Sequence, residues 1–124
     1  MPHLKFGENE RPIVAQFFGA HPKNFYKCAP LAKELGFDGI DINMGCPAGK
    51  IVKHDSGAGL IKNPELAKEI IRETKRGARS TSSGQALPVS VKTRIGYNKI
   101  ITEEWVSHLI EAEPAAIILH GRTQ

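Results

Sequence analysis

One cysteine in this chain is placed to do chemistry. Cys46 lies in the segment Asp41-Ile42-Asn43-Met44-Gly45-Cys46-Pro47-Ala48-Gly49-Lys50, directly after a β-like run and between a glycine and a proline that constrain its turn. Half-buried cysteines are commonly structural. Here the preceding strand puts two polar residues, Asp41 and Asn43, on the same face, which marks the strand end as a site. Lys92 is the second signal: flanked by Val91 and Thr93 in a strand, it is costly unless something anionic meets it. His120 and Arg122 end a further run, and Gln16, uninformative alone, sits near the end of the first. Together, Gln16, Cys46, Lys92 and His120 form a ring of amide, thiol, ammonium and imidazole around one mouth. Cys28 is different. It shares a helical face with Phe25, Ala29 and Ala32, and the expectation for it is core.

The elements that must position these groups alternate in type. The first β-like run is Pro12 to Gly19. A helix follows from about Pro22 to Leu35, stops at Gly36, and contains Pro30, which removes a backbone bond and should kink it. The second run is Gly39 to Gly45. A loop of roughly 17 residues leads to Asn63-Pro64-Glu65, a cap followed by proline and an acid at a helix start. Leu66, Ile70 and Ile71 make that helix's buried stripe, and Gly77 is its expected stop. Arg79 to Gln85 is a Ser/Gly-rich connection. The third run is Pro88 to Gly96. Thr102 then caps a helix with Glu103 and Glu104 in its first turn, Ile101 and Val106 as a staple, and Trp105, Val106, Leu109 and Ile110 on its buried side. The fourth run is Ala115 to Thr123.

Strands alternating with helices imply parallel pairing with right-handed crossovers. An open doubly wound sheet and part of a (β/α)8 barrel both fit. The polar residues favour the barrel. Val14, Gln16 and Phe18 share a face, as do Asp41 and Asn43, Ser90, Lys92 and Arg94, and Ile118, His120 and Arg122. Polar chemistry is thus concentrated on one face toward the carboxyl ends, where a barrel gathers its active site. A sheet covered by helices on both faces rarely accepts lysine and arginine in its strands. The expected fold class is therefore α/β, a partial TIM barrel of about four βα units.

Composition sets the outer bounds. The 124 residues, 40% hydrophobic and 24% charged, suit one globular domain and exclude wholesale disorder. No run of 18 apolar residues points to a membrane span, and the polar residues 1–12 do not read as a secretory leader. Two cysteines cannot build a disulfide scaffold or a four-cysteine zinc site, so no metal is expected and the cytoplasm is the expected setting. The net charge of +4 is compatible with a phosphate-rich partner.

With these residues in place, the chain resembles the tRNA-dihydrouridine synthases, flavoenzymes with a barrel catalytic domain and a small helical RNA-binding domain. The resemblance runs from about Arg11 to Gln124. It rests on Ile40-Asp41-Ile42-Asn43-Met44-Gly45-Cys46-Pro47, continued by Lys50, Gly57-Ala58-Gly59-Leu60 and Pro64. Val89-Ser90-Val91-Lys92-Thr93-Arg94-Ile95-Gly96-Tyr97 and His120-Gly121-Arg122-Thr123 complete it. It implies NADPH-driven, FMN-dependent reduction of the 5,6 double bond of uridine in tRNA. Cys46 would be the proton donor, a role that requires a protonated thiol. Lys92, His120 and Gln16 match positions that contact FMN. A cation near the flavin N1–C2 edge would stabilise the reduced ring and account for a buried lysine. Asn43 and Arg94 would hold the uridine edge and the nearby ribose or phosphate, with the base turned out of its stack.

In the loop Ala48 to Lys62, the residues Lys50, Lys53, His54 and Lys62 could line an RNA entrance through phosphate contacts. Gly57 and Gly59 serve backbone turns. The chain is expected to run from the second strand of the barrel to just after the fifth. The later strands and the helical RNA-binding domain would lie outside it, leaving open edges prone to self-association. Two other readings stay open at this level: a dihydroorotate-dehydrogenase-like flavin oxidoreductase acting on a small molecule, and an inactive fragment.

Overall fold

A computed structural model describes residues 6–46, 56–79 and 86–123. Four strands, β1 (Val14–Phe17), β2 (Gly39–Met44), β3 (Val89–Gly96) and β4 (Ala116–Thr123), pair in parallel in the order β1-β2-β3-β4. Between them run α1 (Pro22–Glu34), α2 (Pro64–Arg79) and α3 (Thr102–Glu111), with a short 3-10 helix at Gly57–Lys62 before α2. Sequential parallel neighbours joined through helices are the arrangement of a partial TIM barrel. Among the described residues, no helix is long and apolar enough to cross a membrane.

The core lies between the sheet and the helices. Ile40, Ile42, Met44, Val89 and Val91 project from the central strands onto Phe25, Ala29 and Ala32 of α1, Ile70 and Ile71 of α2, and Trp105 and Leu109 of α3. The other face is open, with Val14, Phe18 and Ile118 exposed. Helix ends follow local chemistry. Gly36 takes a positive φ of 87°. Its N–H bonds to Lys33 O at 3.0 Å and that of Phe37 to Ala32 O at 3.1 Å, the paired bonds of a Schellman stop. Asn63 Oδ1 accepts from the Leu66 N–H at 3.3 Å, capping α2 as its sequence implies.

Several expectations are corrected. Cys28 is exposed, not core: α1 buries a narrow stripe of Phe25, Ala29 and Ala32, and Cys28 falls just outside it. Gly77 does not stop α2. It lies inside the helix, buried, where α1 approaches so closely that a Cβ would collide with the Tyr26 carbonyl oxygen. Pro30 stands four residues beyond Tyr26 and has no N–H to give that oxygen. The carbonyl that Pro30 leaves without an N–H donor is therefore the one against which Gly77 packs.

Thr102 is the first residue of α3 rather than its cap, and the cap position is Ile101 without a side-chain bond. The physical reason is the tight return after β3, where the Ile101 N–H bonds back to Ile95 O at 3.0 Å and starts the helix one residue early. Val106 is only partly buried and Ile110 is exposed, so the buried side of α3 is narrower than expected, with Trp105 and Leu109 as its fully buried residues. The segment before Asn63 is not all loop, because residues 57–62 form the 3-10 helix, and Gly57 through Ile61 are buried.

Candidate active site

The parallel register aligns the polar residues in rows. Gln16 pairs with Asp41 and Asp41 with Ser90. One step on, Asn43 pairs with Lys92. One further, Arg94 pairs with His120. Strand neighbours in register point to the same face, so alternation along four chains becomes a patch across the sheet. At its carboxyl end the patch bounds a cleft of about 280 Å³ lined by Gln16, Asn43, Gly45, Cys46, Lys92, Thr93, Arg94 and His120. The six residues to which the family resemblance gives roles, Cys46, Gln16, Lys92, His120, Asn43 and Arg94, line this one cleft. A second hollow of about 260 Å³ adjoins it at Gln16, with Phe17, Phe18, Phe25 and Cys28 in its wall.

The turn carrying Cys46 is built by its neighbours. Asn43 Oδ1 accepts from the backbone N–H of Gly45 at 2.9 Å and of Cys46 at 3.0 Å. This is the local Asx closure that an asparagine makes readily. Arg94 Nε donates to Gly45 O at 2.7 Å, and its Nη1 donates to Thr123 O at 2.9 Å, which ties the turn to β3 and β4. The Cys46 carbonyl accepts from the Ala58 N–H at 3.0 Å, anchoring the far side of the turn to the buried 3-10 helix. Cys46 is partly exposed, at the wall of the cleft.

Below the turn, Trp105 Nε1 donates to Thr93 Oγ1 at 3.0 Å, and Thr93 Oγ1 donates to Met44 O at 3.1 Å, with both side chains fully buried. This chain runs from α3 through β3 to the end of β2. Sequence reasoning placed Thr93 opposite the polar residues and gave it no part in the site.

Lys92 is exposed, which corrects the expectation of a buried lysine. It projects from the open face of the sheet, alongside exposed Val14, Phe18 and Ile118, so its ammonium remains solvated at the cleft. Arg122 is not in the cleft wall. The register slips between Arg94 and Gly96, so β4 inserts one extra residue after His120 and the simple alternation stops there. Lys50, Lys53 and His54 lie outside the described residues. Lys62 lies 4.3 Å over the Tyr97 ring, a cation–π contact on an exposed surface.

Asp41 is the residue of most consequence that site selection by sequence passed over. It is 6% exposed and accepts from Gln16 Nε2 at 2.8 Å and Ser90 Oγ at 2.7 Å. A carboxylate between Ile40 and Ile42 was a signal of the same kind as Lys92 between Val91 and Thr93.

Among the described residues, the cleft wall carries two basic side chains, Lys92 and Arg94, and no acidic one, so it suits an anionic or acceptor-rich ligand. A flavin ring fits that donor set: its carbonyl oxygens and ring nitrogens accept, and its single imide N–H donates. Among the described residues, no group of three or more His, Cys, Asp or Glu could hold a metal ion.

Comparison with known proteins agrees with the family seen in the sequence. A family model described as "Dihydrouridine synthase (Dus)" matches residues 1–124. The chain is 42% identical over 122 residues to a "Probable tRNA-dihydrouridine synthase" of Staphylococcus aureus (strain COL), covering 98% of this chain and 35% of the relative. It is 43% identical over the same shares to "Probable tRNA-dihydrouridine synthase 2" of Bacillus subtilis (strain 168). The chain thus spans 35% of the length of these curated relatives.

Proposed function

The chain belongs to the dihydrouridine synthase family, and on that premise we propose that it supplies the proton-donor and flavin-facing part of a tRNA-dihydrouridine synthase. The substrate is uridine in tRNA, the cofactor FMN, the reductant NADPH and the setting cytoplasmic. The observation that carries this reading is the convergence of Cys46, Gln16, Lys92 and His120 on one cleft at the carboxyl ends of the strands.

A reduced flavin, if held there, would supply the hydride for C6 of the uracil ring. The chain's own residues do the rest. Cys46 Sγ–H gives its proton to C5 as the 5,6 double bond is lost, and the thiolate takes a proton back from solvent. The Asn43 clamp on Gly45 and Cys46 fixes where the thiol stands, so the proton is delivered from a defined direction. Lys92 and His120, both in the cleft wall, would hold the ring, where a cation would favour negative charge building up on it. Gln16 would hold the same ring by its amide. Arg94 uses two of its three nitrogens on backbone carbonyls, leaving Nη2 for a ribose or phosphate oxygen of the flipped nucleotide. Asn43, with one N–H beyond its bond to Gln16, meets the uracil edge.

Cys46→Ala tests the assignment in the intact protein. Dihydrouridine formation in tRNA should fall by at least 100-fold, since general acid catalysis contributes about 10²–10⁴, while reduction of bound flavin by NADPH persists. Loss of both together would overturn the role given to the thiol. Affinity for tRNA should fall steeply with salt. A flat salt response would point to a small-molecule substrate instead.

A further inference from the structure

The polarity of the hydrogen bonds in the cleft is dictated from both ends. At one end is the Asp41 carboxylate, which accepts only. Its Oδ1 takes the Ser90 hydroxyl at 2.7 Å and its Oδ2 takes Gln16 Nε2 at 2.8 Å. Gln16 must therefore turn its NH₂ toward Asp41, which leaves its carbonyl on the side of Asn43. At the other end are two backbone N–H groups, which donate only. Those of Gly45 and Cys46 both point at Asn43 Oδ1, so Asn43 must turn its NH₂ toward Gln16. The two amides meet in the middle, Asn43 Nδ2 donating to Gln16 Oε1 at 3.4 Å. That contact is long for a hydrogen bond, and a carbonyl oxygen has two lone pairs. Gln16 Oε1 therefore keeps accepting capacity at the wall of the cleft.

We infer that Asp41 is a positioning residue: it locks the Gln16 amide so that an acceptor, not a donor, faces the bound ring, and so selects a ligand with an N–H between two carbonyls. The inference rests on the function proposed above, because it takes the cleft to hold a flavin or a uracil. Both rings carry that imide. Their carbonyls suit the cations beside it, and their N–H requires an acceptor. A glutamine without Asp41 presents either end of its amide. With Asp41 it presents one. Asp41 itself lines no part of the cleft, so it acts only through Gln16.

Asp41→Asn tests this in the intact protein. Asparagine keeps the shape of the side chain and offers Gln16 both a donor and an acceptor, so the lock is lost while the fold is retained. The probes are FMN and 3-methyl-FMN, with uridine and 3-methyluridine as the second pair, and the readout is equilibrium affinity. Wild type should prefer each parent ring over its N-methyl form. Asp41→Asn should weaken the parent about tenfold and leave the methylated probe unchanged, because that probe has no imide hydrogen to lose. Ser90→Ala, which removes the other donor to Asp41, should leave the preference intact.

Equal loss of both members of a pair would reduce Asp41 to a structural role and overturn the inference, as would unchanged FMN affinity in Asp41→Asn. If wild type binds neither FMN nor uridine, the proposed function falls. If wild type binds only uridine, and Asp41→Asn loses the preference for uridine over 3-methyluridine, the lock stands with the base as its ligand.

Discussion

Gly77→Ala should destabilise this protein, although the same change on an exposed helix does the opposite. In an open helix, alanine is about 1 kcal/mol more favourable than glycine. At Gly77 the new methyl would overlap the Tyr26 carbonyl oxygen and stand 3.1 Å from the Tyr26 carbonyl carbon and 3.0 Å from Ala29 Cβ. The first two are backbone atoms of α1 and cannot rotate aside, so α1 and α2 must separate. Overpacking of this kind costs about 1–3 kcal/mol, and collision with backbone belongs at the upper end. Subtracting the propensity gain leaves a net loss of about 1–2 kcal/mol, or roughly 4–8 °C in Tm for a domain of this size. Without an N–H from Pro30, the Tyr26 carbonyl is available to a Cα–H of the facing helix. Urea unfolding followed by circular dichroism measures the change, with an unaltered m-value showing that the native state is otherwise the same. A Gly77→Ala protein as stable as wild type, or more so, would refute the close-approach account.

Two further outcomes follow from the buried links behind the cleft. Thr93→Val leaves the Trp105 indole N–H buried without its acceptor, and should lower stability by about 1–3 kcal/mol in urea unfolding, with Thr93→Ser recovering most of it. Lys68, nearly buried on α2, pairs with Glu65 and with Glu111 of α3, each at 2.8 Å. The hydrogen bond from Lys68 holds the Glu111 carboxyl below its ordinary value near 4.5, and the bonds to Glu111 and Glu65 hold the Lys68 ammonium above 10.5. The stability from Glu111 is therefore complete above pH 4.5 and lost as pH falls through its depressed value. That from Lys68 is complete below pH 10.5 and lost as pH rises through its raised value. Lys68→Met should flatten the acid limb of a stability–pH profile, measured as the urea midpoint across the acid range. An unchanged acid limb would show that the pair does not couple α2 to α3.

The alternation of apolar and polar residues in Gly39–Met44 and Val89–Gly96 was enough to determine a strand, its helix-facing side and its opposite side, because side-chain direction in a strand depends only on parity, while the alternation of strands with helices implied parallel pairing. Asn63-Pro64 and Gly36 likewise specified a helix start and a helix stop, since capping is settled within a few residues. The same parity placed Gln16, Asn43, Lys92, Arg94 and His120 on one face, and the turn residues around Cys46 marked the strand end.

Other features depended on contacts between segments far apart in the chain. Gly77 has the local character of a helix stop, and only the approach of Tyr26 makes it an interior packing position. Cys28 sits one step from a buried stripe, and its exposure is decided by how wide a face the neighbouring elements, α2 above all, cover. The polarity of the Gln16 amide is invisible in a sequence, because it is imposed by a carboxylate 25 residues away. Local signals report what neighbours along the chain can do. Which of two permitted arrangements is adopted is decided where strands and helices come into register.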